Sequence, residues 1–223
     1  MKINIAIDGP AGSGKSSAGA EFAKQIGYQF IDTGLTYRAF TYYCVVNNID
    51  FNDHQALQTA LQNFNYQVIG DDIFVNNENV TDQLQQEVVL KNINKITGLS
   101  FVREAMVDLQ RSLAKDQGVV MVGRDITSVV LPTAGLKIFL TASIEVRALR
   151  RWNQNKVNNI VPNDLELLKA QLIKRDQADM QRATGPLVVT SDAIVLDNSN
   201  LTFSETIQAL LKLYNEKIKS EGQ

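Results

Sequence analysis

The run Gly9-Pro10-Ala11-Gly12-Ser13-Gly14-Lys15-Ser16, with Ser17 after it, has the residue types and spacing to hold a chain of phosphates. It meets G-x-x-x-x-G-K-[ST] at every fixed position. Glycines let the backbone curl until successive N–H groups converge on phosphate oxygens without Cβ clashes. The helix that follows turns its positive end to the same place. Lys15 supplies a point charge for the β- and γ-phosphates, and Ser16 offers a hydroxyl to Mg²⁺. An apolar run ending at Asp8 precedes the loop and a helical pattern follows it, which is the context the motif needs. These residues imply a nucleoside triphosphate site.

Such a site can serve a switch or hydrolase, a motor, or a kinase for a small acceptor. A GTPase switch should show N-K-x-D; the nearest run, Asn94-Lys95-Ile96-Thr97, lacks the acid and falls inside a helical pattern. No further motif argues for a motor. A small-molecule kinase needs many cations around one site, because two charged phosphates must meet and charge spreads over the transferred group. Candidates are Arg38, Arg124, Arg147, Arg150, Arg151, Arg175 and Arg182. Any one of them could equally be a surface arginine or half of an i,i+4 ion pair. Arg124 and Asp125 stand apart: they follow the apolar run VVMV, at the C-terminal end of a buried strand, where α/β sheets bind ligands.

Strand-length apolar runs alternate with helical periodicity, which predicts an α/β fold with a parallel core sheet. The runs are Ile3–Ile7, Gln29–Ile31, Val119–Val122, Leu136–Leu140 and Ala193–Leu196. Helical patterns cover 15–26, 35–47, 83–97, 101–116, 143–155, 163–181 and 203–219, with Ser143 and Asn163 as helix starts. Residues 64–81 break the rhythm with short strands between GDD and NNEN turns, hence a small antiparallel element. Residues 48–90 hold seven Asp/Glu and no Lys or Arg, whereas 147–182 hold eight Lys/Arg against four Asp/Glu. Most of these charges read as solvated surface, but the basic region also suits a small polyanion. No internal repeat or low-complexity tract is present.

The composition is that of a soluble globular chain: 223 residues, 44% hydrophobic, 21% charged. A net charge of −2 gives no basic field for nucleic acid. No apolar run approaches a membrane span, and the apolar run in MKINIAIDG is too short for a signal-peptide core, so a cytoplasmic protein is expected. Cys44, the single cysteine, lies in an apolar stretch and is expected as a buried structural thiol. His54 stands alone before a helical pattern and is expected in solvent rather than in catalysis or on a metal.

Seven motifs in order carry a resemblance: GPAGSGKSS at 9–17, DTGLTYR at 32–38, FVREAM at 101–106, GRDITSVVLP at 123–132, KIFLTAS at 137–143, RALRR at 147–151 and RDQADMQRATGPL at 175–187. Together they closely resemble bacterial cytidylate (CMP) kinases, P-loop nucleoside monophosphate kinases, over essentially the whole chain. The resemblance implies transfer of phosphoryl from ATP, with Mg²⁺, to CMP or dCMP. It also implies a three-layer P-loop core at 1–32 and 101–223, an acceptor-binding lobe at 33–100 enlarged by the insertion at 64–81, and a helical lid at 147–162. By motif, Arg38, Arg124 and Arg182 would hold the acceptor phosphate and support the transferring group. Arg103 and Asp125 would read the cytosine edge, since an acid and a guanidinium match its amino donor and ring acceptors. Arg175 and Asp179 would contact sugar hydroxyls, Asp32 and Thr33 would lie beside the acceptor path, and Arg147 and Arg151 on the lid would approach ATP. A monomer acting on small molecules, without nucleic acid or membrane, is expected.

Two positions depart from the family pattern. Val122 stands where an acid usually precedes GRD, which leaves Asp125 as the sole acid of the segment. Asn94 stands where a serine commonly contacts the base. UMP or another small acceptor, a P-loop hydrolase or switch, and a nucleotide-binding regulator without transfer remain as alternatives.

Overall fold

The computed structural model describes residues 2–116 and 118–221. Two compact units emerge, a larger one built from the segments up to Ile31 and from Asp116 onward, and a smaller one, Asp32–Lys115.

The larger unit is organised by β1 (Ile5–Asp8), whose four residues are all buried. It pairs in parallel with β6 (Val119–Gly123) and with β7 (Leu136–Thr141), and β7 pairs in parallel with β8 (Ile194–Asp197). With β2 (Gln29–Asp32) the sheet order is β2-β6-β1-β7-β8. Four strands sit within one residue of their expected bounds, and β1 begins two residues later than expected, at Ile5 rather than Ile3. The near-continuous Ile, Val and Leu of the inner strands follow from cover on both faces. Helix α1 (Lys15–Ile26) lays Ala18 and Phe22 on Ile7, Val122 and Leu140, and α8 (Phe203–Glu221) adds Ile207 and Leu210 to the same cluster. Burying a side chain such as Phe22, which is fully enclosed, contributes on the order of 2–3 kcal/mol.

Helices α6 (Ile144–Val157) and α7 (Leu165–Met180) pack on each other. Ser143 caps α6 as expected, its hydroxyl accepting from the Val146 N–H at 3.3 Å. The start of α7 differs from the expectation of Asn163: Asp164 is the cap, accepting from the Leu167 N–H at 2.8 Å. Asn163 instead exchanges two hydrogen bonds with Trp152, donating to its carbonyl and accepting from the indole N–H.

The smaller unit holds α2 (Thr33–Val46), α3 (His54–Gln62), β3 (Tyr66–Ile69), β4 (Asp72–Val75), β5 (Glu78–Asn79), a 3-10 turn at Asp82–Gln85, α4 (Glu87–Thr97) and α5 (Ser100–Leu113). Strands β3, β4 and β5 form the expected antiparallel sheet. Asn76 and Asn77 turn between β4 and β5 with φ of 50° and 69°, the left-handed pair that a tight hairpin turn requires and asparagine tolerates. Helix α5, expected within the core at 101–223, belongs to this unit. Its Val102 and Met106 close the cluster of Phe40, Cys44, Leu57 and Ile96, so the boundary falls after Lys115.

Cys44 is fully buried, and burial pushes its thiol up to about 12. The thiolate is the reactive form, so native protein at pH 8 should resist alkylation by iodoacetamide, whereas urea-unfolded protein should react at once. Mass spectrometry of the labelled chain reads the result directly, because no second cysteine competes. His54 is exposed at the start of α3. Among the described residues no helix is long and apolar enough to cross a membrane.

Candidate active site

The glycine loop joins β1 to α1. A Cβ on Gly9 would lie 2.0 Å from the Leu140 carbonyl oxygen, so only glycine lets the loop leave the sheet beside β7. Gly14, with φ of 88°, makes the left-handed step into α1. Lys15 is buried, and its ammonium donates to the Pro10 carbonyl at 3.1 Å, across the mouth of its own loop. Ser16 and Ser17 are exposed in the first turn of α1. Behind the loop, the Ala11 N–H donates to Asp176 at 3.3 Å, and the Ala11 carbonyl accepts from Arg147 at 3.1 Å. The Ser13 carbonyl accepts from Arg150 at 3.2 Å and from the Asn198 amide at 3.1 Å.

Asp8, the last residue of β1, was not among the candidates. It accepts from the N–H groups of Ile126 and Thr127 at 2.9 and 2.7 Å and from the Thr127 hydroxyl at 2.6 Å. Burial raises its pKa, while these bonds and the Lys15 charge act the other way. It thereby anchors the π-helical turn Ile126–Val130 directly after Gly123-Arg124-Asp125. The signal for it was an acid closing an otherwise apolar strand.

The GRD segment leaves β6 as expected. Arg124 donates through Nε to Asp179 at 2.7 Å and through Nη1 to the Gly123 carbonyl at 3.3 Å. The other Asp179 oxygen pairs with Arg182. Asp179 is 3% exposed, so this buried carboxylate on α7 brings two of the three expected phosphate-binding arginines together. Its partners within the protein are these two cations. Asp125 is buried at the start of the π turn, and Arg175 is exposed on α7. Arg147, expected to reach ATP from the lid, is buried: besides Ala11 it donates to the Ala142 carbonyl at 2.9 Å and to Asp176 at 2.5 Å. Arg151 is half-buried on α6.

The remaining candidates lie in the smaller unit. Asp32 caps α2 by accepting from the Gly34 N–H at 2.9 Å. Thr33 is buried, and its carbonyl accepts from the Thr36 hydroxyl. Arg38 donates to Gln85 at 2.6 Å. Arg103 is buried on α5 with its guanidinium 5.9 Å from the Tyr37 ring centre, within cation–π range. Asn94 is exposed on α4.

Val122 belongs to the sheet's core. A Cβ on Gly19 of α1 would lie 2.8 Å from its Cγ1, so the position usually held by an acid here serves helix–sheet packing. Among the described residues no group of three or more His, Cys, Asp or Glu could hold a metal ion. A Mg²⁺ carried by nucleotide phosphates and touched by one hydroxyl suits this donor set, and the exposed Ser16 at the head of α1 can supply it.

A parallel sheet with a phosphate loop after its first strand, and arginines bridged by a carboxylate at a neighbouring strand's end, defines a P-loop kinase. Shikimate kinase from Bacteroides thetaiotaomicron shares the fold, with a TM-score of 0.51 at 14% identity over 96% of this chain and 99% of that one. The cytidylate kinase family model matches residues 5–216. The cytidylate kinase of Mycoplasma capricolum is 47% identical over 94% of this chain and 95% of its own length. That of Mesoplasma florum is 42% identical over 98% and 96%. The chain belongs to the cytidylate kinase family.

Proposed function

We propose that the chain transfers the γ-phosphoryl group of ATP to CMP or dCMP, giving ADP and CDP or dCDP, as a cytoplasmic, monomeric enzyme of pyrimidine nucleotide metabolism. What carries the reading is a buried Lys15 within a complete phosphate loop, in a chain that the family model spans from residue 5 to 216. ATP phosphates rest on 9–17, with Ser16 toward Mg²⁺ and Arg151 toward the nucleotide. Ser16 would hold a Mg²⁺ brought in with the nucleotide, and that ion would neutralise phosphate charge there. Arg38, Arg124 and Arg182 hold the acceptor phosphate. Arg103, Asp125 and Asn94 meet the base, Arg175 and Asp179 the sugar, and Asp32 and Thr33 flank the path. The 33–100 lobe takes the acceptor. The lid at 147–162 closes to exclude water, which would otherwise take the phosphoryl group.

In-line transfer asks little covalent help from the protein, so positioning and charge supply most of the rate. The test is ADP formation from Mg·ATP with CMP, dCMP, UMP or AMP, beside a control without acceptor. Turnover that depends on CMP and dCMP supports the reading; equal turnover without acceptor overturns it in favour of a hydrolase, and preference for UMP reassigns the acceptor. Arg103→Ala should raise the KM for CMP by tenfold or more, on the scale of a lost charged hydrogen bond (~1.5–3 kcal/mol), and leave that for ATP within about twofold. Equal loss for both substrates would remove Arg103 from the base.

A further inference from the structure

We propose that Asp176 and Arg147 are positioning residues that lock the phosphate loop at Ala11 and so aim its N–H groups at the donor nucleotide. The inference rests on the reading of 9–17 as the ATP cradle and adds to it a device on α6 and α7.

Ala11 is 2% exposed, and both of its backbone groups are taken. Its N–H goes to one Asp176 oxygen at 3.3 Å, and its carbonyl receives Arg147 Nη1 at 3.1 Å. The same Nη1 meets the other Asp176 oxygen at 2.5 Å, so the two side chains close a ring around one residue. Arg147 is itself fixed by the Ala142 carbonyl at 2.9 Å. Ala148 of α6 and Leu172 of α7 form one buried apolar cluster with Ala11.

Peptide geometry turns that restraint into a direction. In a trans peptide the N–H points opposite to the carbonyl of the preceding residue. Drawing the Ala11 carbonyl toward Arg147 therefore turns the Gly12 N–H to the opposite side, away from α6. The Ser13 carbonyl, held by Arg150 and Asn198, does the same for the Gly14 N–H. A phosphate cradle works through donors already pointing inward, because donors that must reorient on binding give back part of the gain. The buried pair also carries no net charge toward the loop, so its effect is on direction and not on the local field.

Asp176→Asn keeps the volume and one acceptor but lets the ring relax. It should raise the KM for ATP, and the Kd for ADP measured by calorimetry, roughly tenfold, as expected for losing a charged hydrogen bond. The KM for CMP should stay within about twofold. Because a lone buried charge can unfold a protein, a second variant, Arg147→Met with Asp176→Leu, removes both charges and keeps an apolar packing. It should fold and show the same loss confined to ATP and ADP. Unchanged ADP affinity in the folded double variant overturns the proposal, as does an equal rise for ADP and CMP. Lys15→Ala separates the two readings. If that variant loses ATP turnover while both clamp variants bind ADP normally, the clamp alone is wrong; if it turns over ATP normally, the cradle reading falls and the clamp with it.

Discussion

Lys15→Ala is expected to lower turnover with saturating CMP by two to three powers of ten, a loss of ~3–4 kcal/mol in transition-state stabilisation. The side chain is buried and held at the Pro10 carbonyl, so its ammonium is already placed at the loop mouth before nucleotide arrives. A cation fixed there meets the β- and γ-phosphates without the cost of ordering a flexible chain, and its charge counts most as negative charge spreads over the transferred group. The effect should fall on kcat more than on thermal stability, because an alanine directly after Gly14 still starts α1. Steady-state rates beside a melting curve check it. Near-normal turnover in a folded variant would refute the donor-site assignment.

Asp179→Ala should be the most damaging single change outside the loop. Its two oxygens serve Arg124 and Arg182, and it is almost fully enclosed. Removing one partner of a buried pair costs about 3–5 kcal/mol, because the remaining charge keeps its desolvation penalty without its counterion. Two guanidiniums would also lose the brace that spaces them, so kcat/KM for CMP should fall by at least two powers of ten in whatever fraction remains folded. Asp179→Asn, which keeps the shape, separates the effects: it should fold better than the alanine variant and still lose CMP turnover. Urea unfolding and CMP kinetics measured on the same preparations would decide, and full CMP activity in Asp179→Asn would end the case for a bracing role.

Local chemistry made the elements of the larger unit readable. Apolar runs bounded by glycine loops have few alternatives to parallel strands, and the spacing from Gly9 to Ser16 carries its own mechanism. The less legible features all depend on partners far along the chain. Asp8 is an unremarkable letter until Thr127 folds against it, 119 residues away. For Arg147 and Asp179 the sequence shows the charge but not the buried carboxylate or the arginines that each meets in the fold. The resemblance put residues 101 onward in the core, and only the packing of helix α5 on Phe40 and Ile96 assigns it to the smaller unit. Asp164 displaced Asn163 as a cap because adjacent residues of similar capping strength differ by which side chain the tertiary fold has already engaged, here the Asn163 amide donating to the Trp152 carbonyl. For Arg38, Arg103 and Asn94 the fold supplies a setting for each, and substrate kinetics must supply the role.

Helix α7 bears Asp176, bound to the phosphate loop, and Asp179, bound to the arginines proposed for the acceptor. Three residues along a helix amount to a rise of roughly 4.5 Å. The helix thus works as a gauge block, setting by its pitch the separation between donor-side and acceptor-side supports within this unit. Side chains at its surface can drift through evolution without changing that length, but an insertion or deletion between the two aspartates would swing one of them by about 100° around the axis. Length, rather than residue identity, is what 177–178 must preserve.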